Sequence, residues 1–171
     1  MKQHFDYCYK YGKNAEFRFA SNHLANISYP TKQQDIYEHW DVRGVCIKIS
    51  DKHLKFDVKS SARLNHSDTE GIMTEVWVEG TNIVGKDGWI KGKADYIVFE
   101  REHTWFVVNR EELFKLTNDK LKENNYKEGK GVYLIHTRYG RKDKVTKVPF
   151  KDMKTIEFYE FLKENDYGKG K

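Results

Sequence analysis

The chain has 171 residues, 38% of them hydrophobic and 15% aromatic, so it is long enough to bury a core and too aromatic to be disordered throughout. No apolar run approaches the roughly 18 residues of a membrane-spanning helix, and the start, MKQHFDYCYK, lacks the apolar segment of a secretory signal. The net charge of +5 is unevenly placed: residues 120–171 hold 14 basic and 8 acidic side chains, residues 1–119 hold 17 and 18.

That asymmetry suits a phosphate polymer bound on a basic second part, or describes ordinary solvated lysines. Cys8 and Cys46 are too few for a disulfide framework, so reduced thiols and a cytoplasmic location are expected. The length predicts one domain over residues 1–165, with a polar tail at 166–171.

Residues 13–26 read as a helix with Phe17, Ala20, Ser21 and Leu24 on one face, stopped by Tyr29-Pro30. Residues 40–49 and 54–60 read as a strand hairpin through Ser50-Asp51-Lys52. Strands follow at 73–79, 93–99 and 104–108, with a glycine-rich connection before the second of these. Asn109-Arg110-Glu111-Glu112 resembles a capping box opening a helix that carries Leu113, Leu116 and Leu121. Residues 131–137 and 144–148 read as strands flanking a basic tip, 138–143. Residues 152–164 read as a last helix, with Asp152 as its N-cap and Met153, Ile156 and Phe161 inward. The expected architecture is α/β, a mixed β-sheet flanked by helices.

Chemistry points to Phe56-Asp57-Val58-Lys59. Alternation on a strand sends Phe56 and Val58 to one side and Asp57 and Lys59 to the other. A carboxylate beside an ammonium can hold a divalent cation while the amine orients water, an arrangement that phosphodiester hydrolysis uses. The Asp/Glu-x-Lys pattern also occurs at Glu128/Lys130 and Asp152/Lys154, but only Asp57/Lys59 lies in an apolar strand. Asp41 begins the preceding strand as a second acid, and Glu16 on the first helix is a third. A tight turn at Asp51-Lys52 would set Asp57 opposite Cys46 and leave the two aspartates roughly 17 Å apart. A pairing centred near Ile49, or a bulge, brings them together.

The order helix-Glu, strand-Asp, hairpin, strand-Asp-x-Lys resembles the PD-(D/E)xK nuclease superfamily, which includes Holliday-junction resolvases, restriction enzymes and phage nucleases. Tyr11-Gly12-Lys13-Asn14-Ala15-Glu16 is similar to the helix start of the resolvase-like branch. Trp40-Asp41-Val42 is similar to its metal-binding aspartate, and Phe56-Asp57-Val58-Lys59-Ser60 to its signature strand. Residues 85–99 look like small phage-encoded members.

The resemblance implies an αβββαβ core and a Mg²⁺- or Mn²⁺-dependent endonuclease acting on DNA. Asp41, Asp57, the Val58 carbonyl and Glu16 would be metal ligands, and Lys59 would position the attacking water. The position before Asp41 is Trp40 where a proline is usual, and the middle acid is Asp rather than Glu. A homodimer is expected if two strands are cut symmetrically.

Outside the motif, Lys13, Arg63, Arg138, Arg141, Lys142 and Lys144 are the candidate DNA contacts, with solubility as the plain alternative. Glu75, Trp77 and Glu79 could extend an acidic cleft or form a half-wet sheet face. Asp95 reads as an ion-pair partner of Lys93, and Cys46 as a buried small hydrophobe. His4 and Cys8 have no second pair at zinc-ligand spacing. The competing readings are a non-catalytic nucleic-acid-binding protein on the same fold, and a phage accessory protein whose charges are only surface.

Overall fold

The run Tyr96–Phe99 is apolar at every position, and such a strand must be covered on both faces. A computed structural model, which describes residues 2–61 and 74–163, with side chains from Tyr11 on, shows how. Helix α1 (Lys2–His23) leads into strand β1 (Ala25–Ser28), helix α2 (Lys32–Glu38) and the pair β2 (Val42–Val45) and β3 (His53–Lys59). Then come β4 (Glu75–Thr81), a 3₁₀ turn (Trp89–Lys91), β5 (Tyr96–Glu100), β6 (Thr104–Asn109) and α3 (Arg110–Glu123). The described chain closes with β7 (His136–Thr137), β8 (Lys144–Pro149), the short α4 (Phe150–Met153) and β9 (Phe158–Leu162).

Six strands form a mixed sheet in the order β1-β2-β3-β5-β6-β9, with β3 and β5 parallel and the other pairs antiparallel. A second sheet, β4-β8-β7, is antiparallel. Two cores result. Phe56, Val58, Tyr96, Val98 and Trp105 pack against Ala15, Phe19 and Ala20 of α1. Ile97, Phe99, Phe106 and Val108, on the opposite face, pack with Val76 and Val78 of β4, Leu113 of α3 and Phe150 of α4. Among the described residues no helix is long and apolar enough to cross a membrane. Residues 166–171 lie outside the described residues.

Several expectations need correction. The buried stripe of α1 runs through Ala15, Glu16, Phe19 and Ala20, while Phe17 is 64% exposed. Phe19 sets the helix phase, with its ring 5.4 Å from that of Phe56 and 5.5 Å from that of Trp105, and this phase carries Glu16 inward. The predicted strand 40–49 is extended only over Val42–Val45; beyond it Cys46, buried, accepts the N–H groups of Ile49 and Ser50 in a turn.

The expected last helix is instead a short α4 followed by β9. β6 is buried and presents an open ladder edge, which β9 fills from Thr104↔Leu162 to Val108↔Phe158. Phe158 packs against one core while Tyr159 and Phe161 join the other, the alternation of a strand. Asp152 lies within α4, whose N-cap is Pro149, and accepts from the Tyr133 hydroxyl.

Asn109 does cap α3, its side chain accepting from the Glu111 and Glu112 N–H groups. The reciprocal half of the box is absent, because the Glu112 carboxylate takes the Glu157 N–H. Of residues 131–137 only His136–Thr137 forms a ladder, since Tyr133 sits at φ 53°, outside the extended region. Asp95 accepts the Lys55 N–H, whereas Lys93 pairs with Glu38.

Candidate active site

The β2–β3 register decides whether the two aspartates meet. Val42 pairs with Phe56 and Val45 with His53, so the pairing is centred on Ile49. Extending it by one residue sets Asp41 opposite Asp57. The Asp41 N–H donates to the Phe56 carbonyl at 2.8 Å, and its carboxylate accepts the Val58 N–H at 2.7 Å. Asp41 is thereby tied to both neighbours of Asp57.

Helix α2 makes this corner. Thr31 and Gln34 form a reciprocal capping box, and His39 ends the helix in the left-handed region at φ 52°. The chain then passes straight into Trp40-Asp41. Trp40 is buried and its indole donates to Glu38 at 2.9 Å. That bond, with amines from Lys93 and Lys55, holds the Glu38 carboxyl down at about 2.

On β3 the alternation predicted from sequence is in place. Phe56 and Val58 enter the core beside α1, while Asp57 and Lys59 line a cleft of about 650 Å³ on the other face. The facing wall is the second sheet, where Val76 and Val78 turn into the core and Trp77 and Glu79 turn into the cleft. Of the two readings of that strand, the cleft is the one found for Trp77 and Glu79; Glu75 pairs with Lys147.

Asp57 is almost fully buried. One carboxylate oxygen holds the Lys59 amine at 2.6 Å, and the other, Oδ2, is buried with no hydrogen-bond partner among the described residues. Loss of water around it raises its pKa well above the ordinary aspartate value. The Lys59 charge opposes this and the Asp41 charge adds to it. The Lys59 amine also stands 4.8 Å from the Trp89 ring centroid.

Glu16 lies beside this group on α1 and outside the cleft lining. Its carboxyl is raised to about 7 by burial and by the charge of Asp41, against the Lys13 amine at 2.7 Å. Asp41 is thus the electrostatic neighbour of both Glu16 and Asp57. Among the described residues no three His, Cys, Asp or Glu groups form a ready coordination shell. Mg²⁺ commonly takes one or two carboxylates and completes its shell with water and phosphate. The unsatisfied Asp57 Oδ2 beside Asp41 fits that donor set.

Of the basic candidates, Lys13 is engaged by Glu16, and Arg138 reaches the cleft while pairing with the buried Asp143. Arg141, Lys142 and Lys144 are exposed on and beside the β7–β8 hairpin, and Arg63 lies outside the described residues. Sequence reasoning missed Asp35, His39, Trp89 and His136 in the cleft lining. The Thr31/Gln34 capping box was a readable signal for α2, which carries Asp35 and ends at His39. Trp89 and His136 had none, because only the packing of the two sheets brings them in. No protein-family model, curated protein or solved structure matches the chain.

Proposed function

We propose that the protein is a metal-dependent endonuclease hydrolysing phosphodiester bonds of DNA, with a site of the PD-(D/E)xK kind. The carrying observation is the β2–β3 register, which sets Asp41 opposite Asp57 and places Lys59 on the same face, at the floor of a cleft. The adjacent antiparallel strands β1-β2-β3, entered from α1 and with α2 between the first two, and the parallel neighbour β5 support the same reading.

Asp41, Asp57 and the Val58 carbonyl would hold a divalent cation, with Glu16 behind Asp41. When bound, such an ion lowers the pKa of water and neutralises charge building on the phosphate. The protein's own groups do the rest. Lys59, held by Asp57 and the Trp89 ring, orients the attacking water and adds positive charge beside the phosphate oxygens. Arg138, fixed by Asp143, stands at the opposite wall to meet a neighbouring phosphate.

Incubation of the purified protein with supercoiled and branched DNA in Mg²⁺ or Mn²⁺ tests this. Cleavage that EDTA stops, and that Asp57→Asn and Lys59→Ala abolish without changing the circular dichroism spectrum, is the expected result. Metal-independent binding without any cleavage overturns the enzyme assignment and identifies a non-catalytic nucleic-acid-binding protein.

A further inference from the structure

The cleft wall facing the two aspartates carries the rings of Trp77 and His136 and the cation of Arg138, with Glu79 among them. Trp77 on β4 and His136 on β7 hold their ring centroids 5.6 Å apart, and Trp89 lines the same cleft beside Lys59. From His136 the chain runs directly into the β7–β8 hairpin tip, where Gly140 at φ 71° makes the turn. Tyr139 at this tip is fully exposed, at 106%. Its neighbours Arg141 and Lys142 are exposed too, and Arg138 reaches back into the cleft.

We propose that the second sheet is a grip for unpaired, single-stranded DNA. Bases stack on Trp77, His136 and Tyr139, while Arg138, Arg141 and Lys142 carry the phosphates. The choice of DNA as ligand rests on the nuclease reading above. A hairpin tip kept solvated for solubility alone needs cations and no aromatic ring. Rings interleaved with cations are what a single strand requires, because every base has a face to stack and every link a phosphate to neutralise.

Size points the same way. A cleft of about 650 Å³ falls within the roughly 300–1,000 Å³ of small-molecule sites. That is the scale of a nucleotide or two rather than of an intact duplex. A phosphate reaches Asp57 at the cleft floor when its strand is locally unpaired. The substrate class that follows is a flap, a gap, a junction arm opened at its branch, or a free single strand.

Fluorescence anisotropy in EDTA tests this without catalysis, using a labelled oligothymidylate of about 20 nucleotides and a blunt duplex of the same length. The single strand should bind at least about tenfold more tightly. Tyr139→Ala, at a fully exposed site that cannot disturb the core, and Trp77→Ala should each lower single-strand affinity about tenfold. Both should leave duplex affinity within about twofold, and Trp77→Phe should retain the preference. Equal affinity for duplex and single strand overturns the proposal, as does an unchanged preference in both alanine variants. A protein that cuts supercoiled DNA in Mg²⁺ yet shows no preference refutes the grip and leaves the nuclease reading standing. A preference without cutting refutes the nuclease reading alone.

Discussion

Asp41 and Asp57 face one another across the β2–β3 pair, and the Asp41 carboxylate is fastened to the Val58 N–H at 2.7 Å. The backbone that presents Asp57 therefore also orients Asp41, and the two carboxylates cannot separate unless the strands do. Loss of water disfavours ionisation of Asp57, the neighbouring Asp41 charge adds to this, and the Asp57 pKa is raised although the Lys59 charge opposes it. A cation placed between them relieves both costs.

Divalent cations should therefore stabilise the fold. Mg²⁺ or Mn²⁺ at millimolar concentration should raise the melting temperature of the native protein and release protons on binding. Asp57→Asn should remove both effects and abolish cleavage. Scanning calorimetry with and without EDTA, with cleavage assays in parallel, checks this; an equal metal-induced shift in the variant rules out Asp57 as a ligand.

Glu16 should impose a pH dependence on stability. Its folded pKa of about 7 lies above the usual 4.5, so the folded state retains a proton that the unfolded state gives up. Its contribution is complete below the unfolded value and is lost as pH rises through about 7. Glu16→Gln should flatten this decline, a change of about 2 kcal/mol after allowing for partial solvent screening. Urea midpoints at pH 5 and pH 8 measure it; the same gap between wild type and variant at both pH values would contradict the assignment.

Gly92 guards the corner that carries Asp41. A Cβ there would stand 2.7 Å from the Glu38 carbonyl oxygen and 2.7 Å from the His39 Cβ. Gly92→Ala must push the α2–β2 connection away, at about 1–3 kcal/mol, and should reduce cleavage because Asp41 stands two residues after His39. Thermal unfolding and kinetic assays of this variant should both move.

Glu100 is a structural carboxylate at the far end of β5. Arg18 at 2.6 Å and Lys163 at 3.0 Å share one oxygen, and the Ser61 N–H donates to the other at 3.0 Å. Burial raises its pKa, but these donors overcome that and hold it below the ordinary value. Its stabilisation is present above the unfolded pKa and is lost as pH falls through the folded one. Glu100→Gln should lower stability by about 1–3 kcal/mol, with the difference shrinking under acid. A difference that grows as pH falls would show that the donors do not favour the ionised form.

Much of the frame was legible because it depends on local pattern. β3, β5, β6 and β8 were readable from their apolar, β-branched runs, and Asn109 from its place before a helical sequence. The failures share a cause. Phe158–Leu162 fits a helical stripe and a strand equally well, and only the vacant edge of β6 chooses between them. Phe17 and Phe19 offer α1 two competing phases, and only the rings of Phe56 and Trp105 select Phe19.

By itself, the sequence determined that Asp57 and Lys59 leave their strand on the side opposite Phe56 and Val58. That follows from the pleat, and no packing partner can alter it. It did not determine that Asp41 would stand across from Asp57, since a shift of the turn by two residues would part them without changing a single side chain's preference. Nor could it place Trp77, Glu79 and His136 around the same cleft. Their approach depends on how two sheets pack over a shared core, a long-range outcome that no local window of residues encodes.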